Sequence, residues 1–151
     1  MKRILVVLLA LVMVLTMGAF AEDNSQYVIG FSSKDNSDTF VANITDAATA
    51  KAAELGVKLL MYDARGDVNQ QISDVETMIA QGVDAIIVIP QSVEGSAPVV
   101  AMCNEAGIPI IIDNGDIADK NYTAFVGCTD QQSGEILGQW FVDNLDRKSV
   151  V

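Results

Sequence analysis

A doubly wound, parallel α/β sheet is the fold this sequence predicts. Strand-like and helix-like stretches alternate along the chain, and glycines stand where the first three of four helical periodicities stop. One strand segment is apolar throughout, as a strand covered on both faces must be.

The first strand is expected at residues 27–31. The helix after it places Phe40, Ile44, Ala47, Ala48 and Leu55 on one face and is closed by Gly56. A second strand, 57–62, follows at once. Asp67 and Gln70 have capping-box spacing, so a second helix should start there, bury Ile72, Val75 and Ile79, and stop at Gly82. The third strand is 83–89. A third helix of about 95–106 ends at Gly107, and 108–112 is the strand that is apolar throughout. Beyond an acidic turn, residues 123–126 make a fifth strand. Thr129 and Gln132 again have capping-box spacing, for a last helix from Asp130 to about Leu145 in which Trp140 and Phe141 read as packing residues.

Ahead of these elements, Lys2-Arg3 precede an apolar run from Ile4 to Met17, and Ala19-Phe20-Ala21 has the small-x-small form of a cleavage site. Residues 1–21 therefore read as a cleaved export signal. The run is shorter than the roughly 20 apolar residues that a membrane span requires. No cysteine lies near the cleavage site to take a lipid anchor, so the product is expected to be exported and soluble, with no membrane insertion after cleavage. Cleavage removes two of the nine basic residues and none of the 20 acidic ones, and 7 minus 20 leaves a formal charge of −13. Such a surface repels nucleic acid and anionic lipid. The chain contains no histidine, which removes the commonest general base and the commonest neutral-pH metal ligand. About 130 residues remain, enough for one core of domain size.

In open sheets of this kind, ligands collect at the carboxyl ends of strands near the switch in strand order. Function is therefore sought in the loops at 32–39, 63–67, 90–94, 113–119 and 127–129. Neither G-x-G-x-x-G nor G-x-x-x-x-G-K-[ST] occurs, so nucleotide binding has no motif to rest on. The loops offer carboxylates, amides and one aromatic ring. Asp113, Asp116 and Asp119 lack the order of a calcium loop with its terminal glutamate and read as a solvated acidic turn. Cys103, late in the third helix, and Cys128, after the fifth strand, should lie at opposite edges of the sheet. A five-residue strand spans about 17 Å, against a limit of about 7 Å between bridged Cα atoms, so no disulfide is expected. With no histidine to activate it, Cys128 is not expected to be a nucleophile.

Leu59-Leu60-Met61-x-Asp63, Ala80-Gln81-Gly82-Val83-Asp84-Ala85, Gly107-Ile108-Pro109-Ile110-Ile111, and Phe125-Val126-Gly127 followed by Ser133-Gly134 form an ordered set. Through it, residues 27–145 resemble the periplasmic sugar-binding proteins of ABC transporters, nearest the galactose/glucose-binding branch of the ribose and galactose type. The resemblance implies a type I periplasmic binding protein fold with strand order 2-1-3-4-5, of which residues 22–145 would be the N-terminal lobe. It also implies a second lobe reached through hinge strands, a monosaccharide clamped between the lobes, no cofactor, and a monomer in the periplasm. The closed form would dock on a membrane ABC permease or a chemoreceptor. Residues 146–151 are unlike the family and are expected to be a non-native tail on a truncated chain.

In galactose-type members, an Asp-x-Phe at the start of the first helix and an Asn at the end of the fourth strand contact the sugar. The matching residues are Asp38, Phe40 and Asn114. A carboxylate accepts from vicinal hydroxyls, an amide donates and accepts, and a ring covers the C–H face of a sugar. Local readings stand beside these. Asp38 suits an N-cap, Phe40 the first core residue of its helix, and Asn114 a turn in Asp113-Asn114-Gly115-Asp116. Gln91, after Pro90, is a fourth residue that could line the cleft. Asn114-Gly115 replaces the Asp-Arg pair of ribose-type proteins and disfavours a ribose-type site. Two other classes share the sequence features: the sensory domain of a signalling receptor and an exported α/β enzyme. No reactive constellation in the loops speaks for the enzyme.

Overall fold

Strand β1 (Val28–Ser33) lies inside the sheet, paired in parallel with β2 (Lys58–Asp63) on one side and β3 (Ala85–Val88) on the other. β4 (Ile110–Asp113) pairs with β3, and β5 (Ala124–Val126) with β4, so the order is β2-β1-β3-β4-β5, as expected. The helices are α1 (Thr39–Leu55), α2 (Val68–Ala80), α3 (Pro98–Ala106) and α4 (Asp130–Asn144). This computed structural model describes residues 27–127 and 130–145. The signal and its cleavage site, Cys128, Thr129 and residues 146–151 lie outside the described residues.

Because β1 connects to β2 on one side while β2, β3 and β4 advance to the other, right-handed crossovers put α1 on one face and α2 with α3 on the opposite one. The packing follows. Val75 and Met78 of α2 and Val99, Val100 and Cys103 of α3 share a core with Ile86, Val88, Ile110 and Ile112. Across the sheet, Phe31 and Ile89 pack with Val41 of α1. Each such side chain contributes roughly 1.5–3 kcal/mol by leaving water. Burial also pushes the Cys103 thiol up to about 11.

Asp38 caps α1, and the helix ends on Gly56 in the left-handed conformation, with its N–H on the carbonyls of Ala52 and Ala53. The face that α1 buries differs from the expected one. Val41 and Thr45 are buried, Ile44 and Ala48 half-buried, and Phe40, Ala47 and Leu55 exposed. The 17 residues of α1 span about 25 Å, whereas the six of β1 span about 20 Å, so the helix is longer than the strand before it.

Asp67 caps α2 through the Asn69 N–H. The reciprocal half of the capping box is not made: the Asp67 N–H donates to the Ala64 carbonyl, and the Gln70 amide turns forward to Asp74. α3 starts later than expected, with Pro98 in its first turn, where a missing N–H costs nothing.

Trp140 and Phe141 do not pack as expected. They are 53% and 52% exposed and stack edge-to-face on each other at 5.5 Å. None of the described side chains of α4 is buried. β5 has only three residues, and Val126 at its end is itself exposed, so this edge offers the helix little surface.

Gly30 is the tightest point of the central strand. A Cβ there would lie 2.3 Å from Met78 Sδ and 3.4 Å from Ile86 Cγ1. Gly30→Ala should therefore lower unfolding stability by about 1–3 kcal/mol in denaturant titration, with an unchanged slope.

Candidate functional site

The carboxyl ends of β1, β3 and β4 are adjacent in the sheet, and the four sequence candidates leave from them: Asp38 and Phe40 after β1, Gln91 after β3, Asn114 after β4. The topology brings all four to one edge. The switch in strand order between β1 and β3 lies within it.

Asp38 is an N-cap. Its Oδ1 accepts from the Phe40 N–H at 2.8 Å, while Oδ2 stands 4.0 Å from Lys34 Nζ. That half-exposed ion pair adds little. The cap occupies one carboxylate oxygen and leaves the other beside a cation at the cleft, so capping and ligand contact are compatible. Phe40 is 55% exposed. It is not the core residue that its helical position suggested; it stands exposed in the first turn of α1, which follows the carboxyl end of β1.

Asn114 takes a left-handed conformation, φ 45°, and its N–H donates to the Val126 carbonyl at 2.8 Å. The chain crosses closely behind it: a Cβ on Gly127, φ 142°, would sit 3.2 Å from Asn114 Cα. Asn114 is thus both the turn residue and a half-buried amide on the cleft edge. Gln91 is half-buried, and its N–H donates to Gln71 Oε1 at 3.0 Å.

Sequence reasoning missed part of this edge. Ser32 and Ser33, expected in the loop, are the wholly buried end of β1. The Ser33 hydroxyl donates to the Tyr62 carbonyl at 3.3 Å. Gln71 was also missed, although its place one turn before Val75, on the buried face of α2, is a signal the sequence carries.

The acidic turn is occupied by its own chain. The Lys120 ammonium and the Ile117 N–H bond to Asp116 Oδ1, and the lysine bond holds that carboxyl below its ordinary range. Asp119 Oδ1 accepts from the Asn121 backbone and side chain, both at 2.9 Å. Among the described residues, no group of three His, Cys, Asp or Glu side chains is placed to hold a metal ion. Nor is any described helix long and apolar enough to cross a membrane.

A hollow of about 660 Å³ opens at the carboxyl end of β2, lined by Tyr62, Asp63, Arg65, Asp67 and Asp74 among others. None of the four candidates lines it. Asp63 Oδ1 there accepts from the Arg65 N–H at 3.0 Å and the Asn36 N–H at 3.2 Å, so this carboxylate already serves its own loops.

Two substitutions check these assignments. Asp38→Ala should cost about 1 kcal/mol of stability and Asp38→Asn only a few tenths, because asparagine still caps. For Asp113, burial pushes the carboxyl above its ordinary range. The folded state then holds a proton that the unfolded chain has released, so stability from this group is full below the ordinary carboxylate pKa and is lost as pH rises through the raised one. Asp113→Asn should remove that part of the decline in an unfolding series run upward from pH about 4.

A family model described as periplasmic binding protein domain matches residues 29–151. The galactofuranose-binding protein of Escherichia coli is 31% identical over 123 residues, covering 80% of this chain and 39% of that protein. The ribose import binding protein of Bacillus subtilis is 25% identical over 129 residues, 85% of this chain and 42% of the relative. Among solved structures, an ABC transporter solute binding protein from Bacillus halodurans with bound myo-inositol is similar at a TM-score of 0.67 and 35% identity, over 78% of this chain and 44% of that one. The chain spans less than half the length of these relatives.

Proposed function

The chain belongs to the periplasmic binding protein domain family, and from that premise we propose that it is the N-terminal lobe of an exported solute-binding protein, residues 22–145, that captures a monosaccharide at the carboxyl edge of its sheet. The observation that carries this reading is the exposed Phe40, whose backbone N–H the Asp38 carboxylate caps, on the same sheet edge as Asn114 and Gln91. An apolar ring left in water next to hydrogen-bonding groups of both kinds suits a ligand with hydroxyls on its rim and C–H groups on its face. In the whole protein, a second lobe would close over this edge by a hinge motion and the closed form would hand the sugar, unchanged, to an ABC permease.

Within that class, the Asp38, Phe40 and Asn114 set suits a hexose of the galactose or glucose kind. Relatives named for galactofuranose and ribose, and a solved structure with myo-inositol, put furanoses, pentoses and cyclitols in the same test panel. A single lobe supplies part of the contacts, so its own affinity should be weak, about millimolar.

The test is a titration of the mature chain with D-galactose, D-glucose, D-ribose and myo-inositol, repeated with Phe40→Ala. The variant should bind its best sugar about tenfold more weakly yet unfold within about 0.5 kcal/mol of the parent, because the ring is exposed. Unaltered sugar affinity in Phe40→Ala would contradict the assignment.

A further inference from the structure

Gln71 is wholly buried on a helix face whose next members, Val75 and Met78, are core residues. Its carboxamide is fully used. Nε2 donates to the Ile89 carbonyl at 2.9 Å and reaches Ser32 Oγ at 3.5 Å, while Oε1 accepts from the Gln91 N–H at 3.0 Å and the Ser96 hydroxyl at 2.7 Å. Two donors and two acceptor positions are all that such a group possesses.

The place of these bonds gives them meaning. The Ile89 N–H still reaches the Ser32 carbonyl at 2.9 Å, but Pro90 has no N–H and the chain leaves the sheet there. The Ile89 carbonyl and the Gln91 N–H need other partners, and the Gln71 side chain satisfies both, as a peptide group of a neighbouring strand would. Ser96 Oγ, bonded to the same carboxamide, accepts from the Ser92 N–H at 3.2 Å and so closes the loop before α3. On the far side, a Cβ on Gly115 would lie 2.9 Å from Pro90 Cδ. The Asn114-Gly115 turn therefore rests against the proline that Gln71 holds.

We propose that Gln71 is the positioning residue of the ligand edge: it touches no ligand, but sets Gln91 directly and Asn114 through Pro90 relative to β1. The ligand part of this inference rests on the sugar-binding reading above; the positioning part does not.

The test compares the mature chain with Gln71→Met, close in shape but unable to make these bonds, and with Val75→Ala, a core loss one turn away that controls for instability alone. Amide hydrogen exchange at Gln91 should rise at least about tenfold in Gln71→Met beyond any global change, with shifted Asn114 resonances and roughly tenfold weaker monosaccharide binding per folded molecule. Val75→Ala should move the global exchange limit but neither Asn114 nor the affinity. Gln71→Met behaving like Val75→Ala overturns the proposal. Should Gln71→Met not fold, Ser96→Ala carries the test: faster exchange confined to 90–96 supports the role, and an unchanged Gln91 amide overturns it. If the parent chain binds no monosaccharide, the sugar-binding reading fails while the exchange comparison still decides the positioning role.

Discussion

The structure depends on β1 being paired on both sides and covered on both faces. A strand in that position admits little bulk, which is why Gly30 meets Met78 so closely, and it forces the crossovers on its two sides to opposite faces. α1 therefore lies over one surface of the sheet, and α2 and α3 over the other. The loops that leave β1 and β3 part at the carboxyl edge for the same reason, and a crevice follows from the topology alone.

What would make that crevice the proposed site is a small set of polar groups where apolar ones would pack more simply. Ser32, Ser33, Gln71 and Ser96 are all wholly buried near this edge. Those whose bonds are described tie β1, α2 and the loop after β3 into one frame. Buried polar groups with every partner satisfied rigidify and specify a geometry. The exposed members, Asp38 and Phe40, are held differently, by a helix cap whose geometry depends on a single carboxylate oxygen.

The alternation and the glycine stops were legible because each comes from local periodicity or from a backbone conformation that only some residues take, whereas the strand order came through the family resemblance. Element ends moved by one to three residues where tertiary pairing decided them: β1 runs on through Ser33 because the register with β2 continues to Asp63. The face of α1 was misread because apolar spacing does not fix which side of a broad stripe meets the sheet, here Val41 and Thr45, and the packing of α4 because a helical stripe does not reveal whether a sheet lies beneath it. At the proposed site, the cap made by Asp38 and the turn at Asn114 were legible through local chemistry. For Gln71 the sequence carries only its position, one turn before Val75 on the buried face of α2, and not the strand end that its carboxamide serves.

The most direct measurement is a crystal structure of the mature chain soaked with the monosaccharide that binds it best. The account predicts the sugar at the carboxyl edge, its ring against Phe40 and its hydroxyls within hydrogen-bond distance of Asp38 and Asn114. A sugar seated instead in the hollow beside Asp63 and Arg65, with the Phe40 edge bare, would contradict it.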